Sequence, residues 1–137
     1  MFLLNFESIQ IGDVAEFTKT ILKVDLDTFI ALTSDTNPIH TDEMFAASTP
    51  FKSPIVHGML TASLLSALIG NHLPGPGAVW YEQEIRFPSP VRVGETLRIT
   101  GKVLQKSLSL RVLIIETLIF GEDGRRVLEG KAKVKMF

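Results

Sequence analysis

The segment Ser34-Asp35-Thr36-Asn37-Pro38-Ile39-His40 puts a carboxylate and an imidazole five positions apart across an Asn-Pro turn. Histidine exchanges protons near neutrality, and a carboxylate beside it can orient the ring or share the proton load. Proline removes conformational freedom from the connection, which suits two groups that must hold one water between them. Such a pair can activate a water and move protons as acid and base. The same string also reads as a helix end followed by a stop signal, with His40 only capping it or facing solvent.

Val56-His57-Gly58-Met59-Leu60 supplies a second element, with a glycine at the start of an apolar helix. A helix N-terminus presents unpaired N–H groups and the positive end of a dipole, and can polarise a carbonyl oxygen. Gly58 has no Cβ, so a ligand can approach its backbone closely. Its N–H is a candidate oxyanion donor, an interaction worth about 3–4 kcal/mol in a transition state. Close packing of helix on sheet is the other role a glycine fills there.

The elements that must carry these residues follow from pattern. Residues 14–22 alternate as a strand. Asp25 is placed as the N-cap of a short helix bearing Leu26, Phe29, Ile30 and Leu32 on one side. That helix must stop before Pro38, so Asp35 falls at or just past its end and His40 beyond a rigid turn. Thr41-Asp42-Glu43 opens another short helix. Residues 58–69 are apolar nearly all round, the mark of a buried helix, and Gly70 closes it. The rest reads as strands over about 78–87, 95–105, 108–120 and 126–136, with Gly121-Glu122-Asp123-Gly124 as a hairpin turn. One buried helix followed by a run of antiparallel strands is an α+β pattern, a curved antiparallel β-sheet wrapped around a central α-helix.

Composition fits one soluble domain spanning residues 1–137. Hydrophobic residues make up 45% and charged residues 21%, and the net charge of −1 leaves no basic field for nucleic acid. Without cysteine there is no disulfide framework and no thiolate nucleophile. No His/Asp/Glu cluster shows metal-ligand spacing, so no metal and no cofactor are expected. The first residues, Met1 to Glu7, lack the pattern of a signal peptide, and the longest apolar stretch is too short and polar to span a bilayer. The expectation is a cytoplasmic protein with no membrane partner, and the sheet edge and apolar face left uncovered point to a homodimer.

Three blocks carry a family resemblance: residues 29–42, residues 55–60, and Arg86-Phe87-Pro88-Ser89-Pro90-Val91-Arg92-Val93-Gly94-Glu95-Thr96. In that order they resemble the MaoC-like dehydratases, and within them the (R)-specific enoyl-CoA hydratases. The resemblance implies a hotdog fold and hydration of trans-2-enoyl-CoA to the (3R)-hydroxyacyl thioester, reversible as a dehydratase. It puts the catalytic roles on Asp35, His40 and Gly58. Asn37 is expected to hold the loop through bonds from its side chain to the backbone. Ala62, Ser66 and Ile69 share the face of Gly58 and are candidates to bind the acyl chain, although plain core packing serves each equally. His57 reads as a buried, hydrogen-bonded residue and His72 as an exposed one. Ser34 departs from the family, which usually has glycine there; if that position needs a positive φ, serine costs about 1 kcal/mol.

Related hotdog dehydratases and thioesterases carry a working carboxylate on the central helix, and residues 58–70 contain none. The alternatives are a non-catalytic acyl-thioester-binding module, which needs neither Asp35 nor His40, and a subunit of a 3-hydroxyacyl-carrier-protein dehydratase.

Overall fold

The computed structural model describes residues 6–137, so the start on which the signal-peptide reading partly rested lies outside the described residues. After a 3₁₀ turn at Phe6–Ser8 come β1 (Val14–Thr20), α1 (Lys23–Thr33), α2 (Pro38–Thr41), α3 (Glu43–Ala47), α4 (Gly58–Ser63) and α5 (Leu65–Ala67). A π turn at Leu68–His72 leads into β2 (Ala78–Arg86), β3 (Thr96–Ser107), β4 (Val112–Phe120) and β5 (Arg126–Met136). The strands form one antiparallel sheet in the order β1-β3-β4-β5-β2. The sheet wraps the α4–α5 segment, the hotdog arrangement expected from sequence.

Strict alternation on β3 and β4 turns Leu97, Ile99 and Val103, and Leu113, Ile115 and Ile119, toward the helix. Leu60, Ala62, Leu65 and Leu68 meet Leu97, Ile99 and Ile119 in one core cluster. A second cluster, with Ile69, Leu73, Val103, Leu113 and Val134, fills the far end, and Trp80 packs against both. Thr117 is the buried polar exception on β4. It accepts from Gln83 Nε2 at 2.9 Å, while Gln83 Oε1 accepts from Trp80 Nε1 at 3.1 Å. These partners offset the cost of burying the hydroxyl.

Several boundaries differ from the sequence expectation. β1 ends at Thr20 because the Ile21 N–H turns to the Glu95 carbonyl at 2.9 Å. Asp25 lies inside α1, not at its cap; its Oδ2 accepts from the Leu22 N–H at 2.8 Å. β4 starts at Val112, because residues 108–111 form the hairpin turn, with Leu108 and Leu110 exposed and Arg111 at φ 54°. The central helix is not continuous. Ser63 Oγ donates to the Leu60 carbonyl at 2.6 Å, a back-bond that bends helices, and the chain breaks at Leu64. Gly70 does not close the helix but lies within the π turn, where the Leu73 N–H reaches back to the Leu68 carbonyl at 2.7 Å.

One ion-pair cluster braces the approach to the site. Arg125 grips both carboxylate oxygens of Glu95, at 2.8 and 2.9 Å, and the Arg92 N–H donates to Glu95 Oε2 at 2.7 Å. Burial pushes Glu95 up, but these hydrogen bonds outweigh it and hold the carboxyl below its ordinary value of 4.5. A depressed carboxylate contributes stability above its unfolded value, and that contribution is lost as pH falls through its lower folded value. The midpoint of thermal unfolding should therefore drop as pH falls below 4.5. A series of melts should show a smaller acid drop in Glu95→Gln.

Candidate active site

α1 ends in a left-handed turn. Ser34 stands at φ 63°, ψ 17°, and its N–H donates to the Ile30 carbonyl at 2.8 Å. This reverses the chain and delivers Asp35. Asp35 Oδ1 accepts from the Asn37 N–H at 3.1 Å, and Asn37 Oδ1 in turn accepts from the Ile39 N–H at 3.2 Å. Asn37 is the N-cap of α2 and Pro38 its first residue, so the rigid Asn-Pro turn expected from sequence is the start of a short helix. His40 rides on that turn.

His40 Nδ1 lies 2.7 Å from the Ile55 carbonyl oxygen. A carbonyl only accepts, so Nδ1 carries the proton and Nε2 is left as a bare acceptor. The Ile55 N–H returns a bond to the Ile39 carbonyl at 3.2 Å, clipping the two segments together. One further residue along, the Val56 N–H donates to the Val91 carbonyl at 2.8 Å. Arg92 spreads its guanidinium over the carbonyls of Phe51, Ser53 and Pro54. The third sequence block thus supports the second, which supports the first.

His57, next in line, is buried against the pair. Its Nε2 lies 3.1 Å from the Asp35 carbonyl oxygen and 3.9 Å from Asp35 Oδ2, and its ring stacks on His40 with centroids 3.9 Å apart. Gly58 follows as the first residue of α4, so its N–H has no partner within the helix. A cavity of about 360 Å³ opens beside His40 and Gly58, walled by Thr61, Phe87, Val91 and Val127. A Cβ added to Gly58 would lie 3.0–3.2 Å from the Phe87 ring, so the missing side chain also seats that aromatic wall.

Residues 7–113 match the MaoC like domain family. The chain belongs to the MaoC-like family. It is 41% identical over 133 residues to the (R)-specific enoyl-CoA hydratase of Rhodospirillum rubrum, covering 94% of this chain and 89% of that protein. It is 39% identical over 135 residues to the 3-hydroxybutyryl-CoA dehydratase of Methylorubrum extorquens, covering 98% and 85%. Among solved structures, that of the (R)-hydratase from A. caviae involved in PHA biosynthesis superposes with a TM-score of 0.91 at 37% identity, covering 96% of this chain and 99% of that one.

The expectations for this MaoC-like site divide at the central helix. Asp35, Asn37, His40 and Gly58 come together. Ala62, Ser66 and Ile69 do not line the cavity next to Gly58; Thr61 does. Ala62, still within α4, is buried in one core cluster; beyond the interruption at Leu64 and the π turn, which end the regular helical spacing, Ser66 is exposed and Ile69 is buried in the other cluster.

The absence of metal-ligand spacing is also corrected: one ligand atom each from Asp35, His40 and His57 lies within 4.8 Å of the others. The donors suit an ion poorly. His40 Nδ1 and His57 Nε2 are engaged by carbonyls, and the other nitrogen of His57 is enclosed without a partner, which leaves an ion few free donors.

Sequence reasoning missed the wall residues Thr61, Phe87 and Val127 and the bracing role of Arg92. Only the position of Phe87 and Arg92 within the third block hinted at them. His72, expected exposed, is so, and it stacks on Phe17 at 5.0 Å.

Ser34 occupies the left-handed position where a glycine would be free of Cβ strain. Ser34→Gly relieves that strain and loses part of the gain to a more flexible unfolded chain, for a net stabilisation of about 0.5 kcal/mol. Chemical denaturation should place its midpoint slightly above wild type, and a lower midpoint contradicts the strain.

Proposed function

We propose that this protein catalyses the (R)-specific hydration of trans-2-enoyl-CoA to (3R)-3-hydroxyacyl-CoA, and the reverse dehydration. The observation that carries the reading is that His40, close to Asp35, lines an apolar cavity together with Gly58. Two acceptors that each bind one water at about 2.8 Å, at a tetrahedral angle, stand about 4.6 Å apart. One carboxylate oxygen of Asp35 and one ring nitrogen of His40 lie within 4.8 Å of each other, close enough for the two side chains to share a water.

With Asp35 Oδ2 and His40 Nε2 both accepting, the two hydrogens of the water are engaged and its lone pairs face the cavity. The Gly58 N–H receives the thioester carbonyl oxygen and draws electron density from C3. The water oxygen bonds to C3, the π electrons move into the enolate, and one water proton passes to the pair. As the enolate collapses, a proton is delivered to C2. Nothing is oxidised or reduced, and water is the only co-reactant.

The assay is loss of enoyl-thioester absorbance with crotonyl-CoA and longer enoyl-CoAs, with the product resolved by chiral chromatography. Turnover to the (3R) product is expected. Tight binding without turnover at every chain length would replace the enzyme with an acyl-thioester-binding module.

A homodimer belongs to this reading. β2 lies at the sheet edge, and Val79, Tyr81 and Met59 are exposed. Light scattering should return twice the 15.2 kDa chain mass. No helix among the described residues is long and apolar enough to cross a membrane, and a cytoplasmic setting is part of the proposal.

A further inference from the structure

His57 is 1% exposed, and its two ring nitrogens have different surroundings. Nε2 faces the Asp35 carbonyl oxygen at 3.1 Å and so must carry the proton. Nδ1 is enclosed and, among the described residues, meets no hydrogen-bond partner. A second proton could enter only at Nδ1, where it would create a buried cation with an unpaired N–H. The titratable groups facing the ring are Asp35, with Oδ2 at 3.9 Å, and His40, stacked at 3.9 Å with its plane 29° away. Phe29, from α1, closes on it with a ring centroid 4.9 Å away. Burial, chiefly, holds His57 below the ordinary 6.5.

We propose that His57 is a positioning residue of the hydration site: an imidazole, neutral and protonated on Nε2, that holds the Asp35 main chain and gives His40 an uncharged face to rest on. The inference rests on the hydration reading above. His57 is no second base, because its one proton is committed to a carbonyl and its bare nitrogen has no route to a substrate. Its neutrality has a consequence for His40, one of the two groups that share the water proton during turnover. An imidazolium stacked at 3.9 Å would oppose that step, and a neutral ring does not. The hydrogen bond fixes where Asp35 begins, and the stack fixes where the His40 plane lies, so the two contacts together set the gap that one water fills.

Two variants separate the contacts. His57→Gln keeps an N–H donor for Asp35 and loses the ring face; His57→Phe keeps the face and loses the donor. In folded protein, each should lower kcat on crotonyl-CoA about 10-fold or more while KM stays within about threefold, the mark of lost geometry in place of lost binding. A merely structural histidine would lower the unfolding midpoint without that split. Unchanged kcat in both variants, or a rise in KM alone, overturns the proposal.

Nitrogen-15 spectra of the wild-type histidine rings provide a readout independent of activity and of whether the variants fold. His57 should remain the neutral Nε2–H form as pH passes below 6.5. A ring protonated on Nδ1, or one that titrates at the ordinary value, also overturns it. If wild-type protein turns over no enoyl-CoA, the hydration reading fails and the positioning of His40 for turnover fails with it. A neutral Nε2–H His57 in that inactive protein would show that the anchor on Asp35 survives.

Discussion

Asp35→Asn abolishes hydration, lowering kcat by about 10³-fold or more, and leaves the fold intact. Asparagine retains an oxygen for the Asn37 N–H, and the Asp35 main chain, which holds the His57 bond, is untouched. What changes is the outer side of the group, where an NH₂ can replace the free acceptor and turn a hydrogen toward the water in place of a lone pair. His40→Ala should cost as much, because it removes the ring nitrogen left free to accept from the water. The two groups hold the same molecule, so the double variant should fall little further than either single one. Steady-state rates on crotonyl-CoA, with circular dichroism as the fold control, check all three. Activity near wild type in either folded single variant removes the acid–base pair from the mechanism.

The second large effect is on stability. In Gly130→Ala, the new Cβ would lie 1.7 Å from the Glu84 carbonyl oxygen, a backbone atom of the neighbouring strand. Gly130 faces Ile85 on β2 and Thr117 on β4, so the clash falls near the end of the β2–β5 pairing, one pair before the last, with β4 bonded on the other side. Its φ is not in the left-handed region, so the requirement is space and not torsion. A flexible side chain could move aside, but a strand in register cannot, and we expect a loss of about 3 kcal/mol or more. For a chain this size that is about 10 °C in the thermal midpoint. Gly70→Ala, with nothing within 4 Å of the new methyl and no positive φ, is the matched control and should be close to neutral. A Gly130→Ala midpoint within a few degrees of wild type, by about the same scaling, rules out the steric account. β2 also runs straight into Phe87, so the surviving folded fraction should show a raised KM.

How much of this was legible in the sequence depended on distance along the chain. Asp35, Asn37 and His40 were readable as a unit because their geometry is local, set by an Asn-Pro pair and a short turn. Gly58 was readable because a glycine at the head of an apolar run has few roles. The strands of an antiparallel sheet and the helix it wraps followed from alternation and turn residues, whereas the order β1-β3-β4-β5-β2 rests on pairings between distant segments. The stacking of His57 on His40 was not legible, since it depends on two segments being clipped together through Ile55 and Ile39, and neither side chain announces a main-chain clip. Ser66 and Ile69, expected to face the acyl chain, do not line the cavity beside Gly58 for a different reason. Counting positions along a helix assumes the helix continues, and the regular run ends at Ser63, whose hydroxyl bonds to the Leu60 carbonyl. β4 was extended into Leu108 and Leu110 because apolar type alone does not separate a strand from an exposed hairpin turn.

Ile55 and His57 hold His40 and the Asp35 main chain, whereas much of the cavity wall beside them comes from the connection after β2 and from Val127 of β5. The reacting atoms and that part of the wall therefore hang from different parts of the chain. A protein built this way has a division of labour open to engineering and to drift. Substitutions at Val91, Val127 or Phe87 can reshape what the cavity admits, one side chain at a time, without moving the hydrogen bonds that locate the water.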